Sequence, residues 1–272
     1  VSMNITDINA TPLHRAFDEV CRAANDRGVR VTGTEIVGLV PRRTLLEAGK
    51  YFLKKQQRST GLSDEEIIAM AVRTMGLDEL KPFVVEEKVI EDLVAPKHDK
   101  RLVDMTCRGF ALETASESPA PGGGSISAYM GALAAALGTM VGNLSSHKPG
   151  WDDGWEEFSD YAEEGQRHVK ELLALVDEDT AAFNRIMDAF KLPKGTPEEK
   201  AARSEAIQAA TLYATQVPLR TMKAAAAVMP LVKAMAEKGN PNSVSDAGVG
   251  ALAARSAVLG AYLNVKINAA GL

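Results

Sequence analysis

The sequence predicts a mainly α-helical protein, a helical bundle preceded by a partial α/β unit. Three observations predict it. From Leu102 to the end, every long segment repeats its apolar residues at the helical period. No run in that half alternates as a strand does. The first 57 residues instead switch between β-branched extended stretches and amphipathic helical ones.

Residues 1–6 and 29–40 carry the β-branched side chains and turn signals of strands, and helices are expected over 12–27 and 42–57, with Pro41 at a helix start. Two strands leave sheet edges unpaired, so residues 1–57 read as the end of a larger α/β domain. Residues 58–103 form a connector. Within it Ser63 and Glu66 make a capping box for a short helix that stops near Gly76, and the charged stretch 82–100, with Pro82 and Pro96, reads as a linker. Residues 104–272 form the all-α domain, with helices expected over 103–117, 124–146, 152–191, 197–237 and 246–268. Pro193, Pro197, Pro218, Pro230 and Pro241 punctuate or kink them.

At 272 residues the chain has room for one large or two modest domains. Apolar residues make up 46% and charged residues 25%, a balance that builds a core. The formal net charge of −5 is spread without a basic stripe, which argues against nucleic acid as a partner. Cys21 and Cys107 stand alone, and His14, His98, His147 and His168 show no ligand spacing, so neither a disulfide framework nor a metal is expected. A reducing cytosol fits best. No secretory signal opens the chain, and its Val-Ser-Met start and Ala-Ala-Gly-Leu end read as cuts within a longer protein.

No Asp, Glu, Lys or Arg occurs between Glu117 and Lys148, a length that would permit a membrane span. The stretch opens on Pro-Ala-Pro-Gly-Gly-Gly-Ser and is filled with Ala and Gly, so its hydrophobicity is weak, and a buried central helix is expected instead of a membrane partner. Ile126, Met130, Leu133, Leu137, Met140 and Leu144 form a bulky face on it, while Ala128, Gly131, Ala135, Gly138 and Gly142 form a nearly bare one. A bare face admits either a packed helix or a flat ligand.

Just before that helix, Gly122, Gly123, Gly124 and Ser125 offer free N–H groups and a hydroxyl at a helix N-terminus, suited to an anion or a carbonyl oxygen, or simply to a flexible cap. No Lys follows the last Gly, so this is not a Walker loop. Asp179 falls on the apolar line Leu172, Leu175, Ile186 and Phe190. A carboxylate there is either satisfied by a neighbouring helix or held as a catalytic acid or base. Asp177 points away, beside Asn184 and Asp188, towards solvent.

On the last helix Asp246, Gly250, Ala253, Ala257, Gly260, Asn264 and Asn268 fall within about 40° of one another. Amides and a carboxylate among small residues resemble a ligand wall, although Asp246 also reads as a plain helix-start charge. Asp246 and Asn264 are ~27 Å apart along the axis, so they serve opposite ends of a long ligand or different sites. Lys191 and Lys194 flank a helix stop, where they are either solvated or receive the carboxylates of an acidic substrate.

Several of these segments together resemble the formiminotransferase-cyclodeaminase family: Ala120-Pro-Gly-Gly-Gly-Ser125, Met140-Val-Gly-Asn143, Val176-Asp-Glu-Asp-Thr-Ala-Ala-Phe183, Lys191-Leu-Pro-Lys194 with Thr196-Pro-Glu-Glu199, Val217-Pro218-Leu219, Gly239-Asn240 with Ser245-Asp246, and Gly260-Ala-Tyr-Leu-Asn264 through Ile267-Asn268. Val1-Ser-Met-Asn4 and Val37-Gly-Leu-Val-Pro41 resemble the end of that family's formiminotransferase C-terminal subdomain. The resemblance implies a ferredoxin-like remnant followed by a helical cyclodeaminase domain. It implies closure of 5-formiminotetrahydrofolate to 5,10-methenyltetrahydrofolate with release of ammonia, in histidine degradation and one-carbon metabolism. Formimino transfer is not expected of these residues, because the subdomain with that activity's histidine is missing. The resemblance further implies a dimer with pockets at the subunit interface, a larger ring in full-length members, and a tetrahydrofolate polyglutamate as substrate with no tightly bound cofactor. On this reading Asp246 and Asp179 are the catalytic pair. Gly122, Gly123, Gly124, Ser125, Asn240, Asn264 and Asn268 position folate, and Lys191 and Lys194 meet the glutamate tail. A methenyltetrahydrofolate cyclohydrolase and a non-catalytic folate-binding or oligomerisation module are the competing expectations.

Overall fold

A computed structural model describes residues 1–94 and 101–272. The stretch 95–100 of the expected linker, with His98, lies outside the described residues. In chain order the α-helices are α1 (Leu13–Asn25), α2 (Arg42–Lys55), α3 (Asp64–Met75), α4 (Val85–Lys88), α5 (Ile90–Val94), α6 (Cys107–Thr114), α7 (Gly123–Ser146), α8 (Trp155–Lys191), α9 (Pro197–Lys238) and α10 (Val244–Ala269). Short 3-10 turns precede α6, α8 and α10.

Local sequence accounts for many of the helix ends. Ser63 and Glu66 close the capping box of α3, and Gly76 ends that helix with a left-handed φ of 63°. Thr196 and Glu199 form a second box at α9, with Pro197 in the first turn, where its missing N–H costs nothing. Pro218 and Pro230 lie inside α9 without ending it. The helix expected over 103–117 is instead a 3-10 turn at Leu102–Asp104 followed by the shorter α6. Asp177, expected in solvent, accepts the Leu102 N–H at 2.7 Å and is half-buried.

No strand forms among the described residues. Segments 1–6 and 29–40 carry no ladder, and the pairing found is an isolated parallel bridge between Val40 and Val89. The α/β character expected there is therefore not seen. A strand is held by a run of hydrogen bonds to a neighbour, and beyond that bridge the described residues give these segments a single long-range backbone bond, from the Thr34 N–H to the Gly76 carbonyl at 3.0 Å, which makes no ladder. Val29, Val37 and Leu39 are accordingly exposed. Helices α2 and α3 pack together instead, burying Leu45, Phe52, Ile68, Met75 and Val89 in a core of their own.

The bundle is built by α7, α8, α9 and α10, with α7 and α9 each packed on all three of the others. Its core joins Leu172, Leu175 and Val176 of α8 with Val217, Val228 and Val232 of α9 around the alanines of α7 and α10. The bare face of α7 is what packs inward: a Cβ on Gly131 would lie 3.0 Å from Leu172, and one on Gly138 3.0 Å from Leu231. The helix propensity surrendered at each Gly, about 1 kcal/mol against Ala, is offset by that close approach.

The bulky face of α7 points out, leaving Leu133, Met140 and Leu144 exposed. Helix α10 repeats the inversion. Its Ala254, Ala257 and Ala261 are buried, while Val249, Leu252, Leu259, Leu263 and Ile267 face outward. Among the described residues two helices, Gly123–Ser146 and Pro241–Ala269, are long and apolar enough to cross a membrane, but 61% of an apolar 18-residue window of the first is buried inside the fold against 22% of that of the second. The first is thus a core helix, and the second carries an unpartnered apolar face.

Candidate active site

A cavity of about 120 Å³ opens where the N-terminus of α7 meets the middle of α8 and the C-terminal part of α10. Gly122, Gly123, Gly124, Asp179, Thr180, Phe183, Asn264 and Asn268 are among its lining residues. The site exists because α7 and α10 run antiparallel: Gly123 lies against the Asn264 amide, and Gly260 lies against Ser127 four residues along.

Asp179 is the chemical centre. The N-cap of α7, Gly122, has no side chain to accept the first free N–H groups, and the carboxylate of Asp179 arrives from α8 in its place. It accepts from Ser125 Oγ at 3.0 Å, and Ser125, fully buried, also lies 3.3 Å from the Thr180 hydroxyl. Burial pushes the Asp179 carboxyl above its ordinary value, and the hydroxyl and backbone N–H of Ser125 pull against that. A Cβ on Gly124 would stand 2.1 Å from Asp179 Oδ1, so only glycine lets the carboxylate in.

The two amides are tied down on the far wall. Asn264 Nδ2 donates to the Gly260 carbonyl at 2.9 Å, and Asn268 Nδ2 donates to the Ala214 carbonyl at 2.7 Å across to α9. Each keeps its oxygen and one N–H for a ligand. Phe183, one turn after Asp179 and 38% exposed, adds an aromatic face at the mouth. The set holds a buried acid, hydroxyls, two amides and a ring. It can move a proton and orient a flat heterocycle.

Other residues singled out in the sequence lie elsewhere. Asp246 opens α10 next to Ala247, which packs with Val141 and Phe158, at the opposite end of the bundle from Asp179. The ~27 Å separation from Asn264 that the sequence gives thus leaves Asp246 outside the lining of this cavity. Asn240 accepts from the Asn242 N–H at 3.2 Å and donates its own N–H to Ser145 Oγ at 2.8 Å, which makes it a turn-former before α10. Lys191 pairs with Asp188 at 2.9 Å on the surface. Lys194 lines a separate, shallow cleft with Lys200, Arg203 and Gln208; this is larger, about 500 Å³, but offers cations and no acid or base.

Thr180, Phe183, Ile186 and Ala214 were not picked out for the site from sequence, and the signal for the first two was their place in the Val176 to Phe183 motif. Among the described residues no cluster of three or more His, Cys, Asp or Glu is placed to hold a metal. Cys21 and Cys107 are free thiols.

The chain matches the family model described as formiminotransferase-cyclodeaminase over residues 106–272 and that of the formiminotransferase domain over residues 1–95. It is 39% identical over 269 residues to the formimidoyltransferase-cyclodeaminase of Gallus gallus, covering 98% of this chain and 50% of that protein. It is 42% identical over 167 residues to the methenyltetrahydrofolate cyclohydrolase of Methylorubrum extorquens, covering 61% of this chain and 80% of the relative. The crystal structure of formiminotetrahydrofolate cyclodeaminase from Thermotoga maritima superposes with a TM-score of 0.55 at 27% identity, over 62% of this chain and 80% of that one. The chain spans about half the length of the formimidoyltransferase-cyclodeaminases it matches. With one family model covering the helical bundle and the other the residues before it, the chain belongs to the formiminotransferase-cyclodeaminase family.

Proposed function

We propose that the helical domain from residue 104 onward is a formimidoyltetrahydrofolate cyclodeaminase, with Asp179 as its proton-transfer group. The observation that carries this reading is a carboxyl raised by burial in a cavity walled by two amides, in a chain of this family. In 5-formiminotetrahydrofolate, N10 attacks the carbon of the formimino group, whose nitrogen carries the proton, and forms the new C–N bond. The carboxylate of Asp179 takes the N10 proton and returns it to the amino nitrogen, which leaves as ammonia when its C–N bond breaks. One proton enters and leaves the carboxyl, and the positive charge stays on the 5,10-methenyl product. A carboxyl whose affinity for protons is raised suits both halves of that exchange near neutral pH.

A cavity of about 120 Å³ is below the roughly 300–1,000 Å³ that encloses a drug-sized ligand, so it takes the one-carbon unit and its two nitrogens. The pterin and benzoyl rings lie outward past Phe183, with Asn264 and Asn268 reading polar edges. No tightly bound cofactor is needed for these steps. In the cell the reaction belongs to histidine breakdown and one-carbon metabolism, in the cytosol.

The outward apolar faces of α7 and α10 support a second proposal, a homodimer of this chain. Leu133, Met140 and Leu144 on α7, and Val249, Leu252, Leu259 and Leu263 on α10, are exposed apolar side chains in numbers that a soluble monomer rarely leaves uncovered. A second copy there would build up the outer wall of the site. Residues 1–95 are proposed as the end of a ferredoxin-like formiminotransferase subdomain, in which segments 1–6 and 29–40 would gain strand partners.

The Methylorubrum relative favours one alternative, hydrolysis of the methenyl product by the same pocket. Both readings are tested by supplying 5-formiminotetrahydrofolate and, separately, 5,10-methenyltetrahydrofolate, while methenyl absorbance and free ammonia are followed. Ammonia released in step with methenyl formation supports the cyclodeaminase. Loss of methenyl absorbance without ammonia supports the cyclohydrolase, and no turnover of either overturns both.

A further inference from the structure

The Met140-Val-Gly-Asn143 motif takes no part in the cavity. Asn143 lies 19 residues beyond Gly124 on α7, about 28 Å along the helix axis. There it meets a loop of the amino-terminal unit. Asn143 Oδ1 accepts from Ser59 Oγ at 2.7 Å, and its Nδ2 donates to the Gly61 carbonyl at 2.8 Å. On the neighbouring helix α8, Ser159 Oγ accepts the Thr60 N–H at 3.0 Å and lies 3.2 Å from the Thr60 hydroxyl.

The fit is tight. Ser59 is 0% and Thr60 2% exposed, and a Cβ on Gly61 would stand 2.2 Å from Ala162 Cβ and 2.4 Å from its carbonyl carbon. Loop backbone therefore rests directly on helix backbone. Two ion pairs cross the same boundary, Lys50 to Glu163 at 2.8 Å and Lys170 to Asp64 at 2.6 Å. Within the loop Ser59 Oγ also accepts the Gly61 N–H at 3.1 Å. The buried bonds that cross the boundary are satisfied in one register and lost in a shifted one.

We propose that Asn143, Ser159 and Ala162 form a docking surface whose partner is the 59–61 loop of the same chain, and that it locks the α2–α3 unit and the helical bundle into one rigid body. The motif at Asn143 is thereby a joint between the two units. Its charged rim sets the orientation, and its buried hydrogen bonds exclude other orientations. The proposal is independent of the reaction assigned to the Asp179 cavity.

Hydrogen exchange on the whole chain tests it. In the parent protein the amides of residues 60 and 61 should exchange as slowly as those of α3, and heat should unfold both units in one transition. Asn143→Leu removes both side-chain bonds, and exchange at 60 and 61 should speed about tenfold or more. Residues 172–176 in the bundle core should stay unchanged, and α3 should melt in an earlier, separate step. Should Asn143→Leu fail to fold, Ser59→Ala, which removes a single hydroxyl, is expected to speed exchange at 60 and 61 about three- to tenfold. The joint is overturned by fast exchange at 60 and 61 in the parent, or by slow exchange there that these substitutions leave unchanged.

Discussion

Asp179 on α8 accepts the Ser125 hydroxyl of α7 at 3.0 Å, so one helix supplies the capping carboxylate that the glycine start of the other lacks. Burial raises that carboxyl, and Ser125 limits the rise. A carboxyl raised in the native state binds its proton more tightly than in the unfolded chain. Its contribution to stability therefore falls as pH climbs from the unfolded carboxylate value through the folded one. Ser125→Ala should raise the group further. The acid limb of the pH profile of kcat/KM should move to higher pH, and thermal stability should decline with pH over a wider range. An acid limb that does not move would show that Asp179 is not the group titrating there.

Gly124→Ala places a methyl 2.1 Å from Asp179 Oδ1, where either the carboxylate or the helix start must shift. Overpacking of this kind costs about 1–3 kcal/mol. The melting temperature should drop, and kcat/KM should fall about tenfold or more because the acid is displaced. Turnover assays and thermal melts on the same preparation check both.

Asn264 and Asn268 hold their amides through carbonyls of Gly260 and Ala214. Replacing either by Ala removes a pre-positioned donor and acceptor without touching the proton-transfer group. KM is expected to rise about three- to tenfold, the value of one net hydrogen bond, with kcat changed less. Lys191→Ala, which breaks only a surface pair with Asp188, should leave both parameters unchanged.

Leu252 and Leu263 are 64% and 65% exposed on α10. If a second copy covers them, Leu252→Glu and Leu263→Glu each place a charge in an apolar interface and should convert a dimer to a monomer in sedimentation equilibrium. A parent chain that sediments as a monomer at micromolar concentration contradicts the dimer.

The long helices were legible because four or more turns of apolar repeat outweigh any single misplaced residue, as α8 and α9 illustrate. The segments at 1–6 and 29–40 were not, because β-branched content reports a preference for strand while a strand itself depends on a neighbour. Asp179 was legible as a charge on the Leu172, Leu175 and Ile186 line. Its meeting with Ser125 and Asn264 was not, since nothing local specifies which helix ends converge. For Asp246 the sequence showed the ~27 Å axial separation from Asn264, but not whether that end of α10 carries a second site or a plain helix-start charge. The faces of α7 were read correctly as bulky and bare, but which one packs inward depends on its neighbours. The leucines face out because Leu172 and Leu231 already fill the space against the glycines.

The central claim is that Asp179 transfers the proton, and Asp179→Asn tests it most directly. Asn keeps the shape and an oxygen for Ser125, and it removes both the titrating group and the burial penalty of its charged form, so the melting temperature at neutral pH should hold or rise. Methenyl and ammonia formation from 5-formiminotetrahydrofolate should fall about 10²- to 10⁴-fold, with KM little changed. A folded Asp179→Asn protein that turns over within a few-fold of the parent would contradict the account.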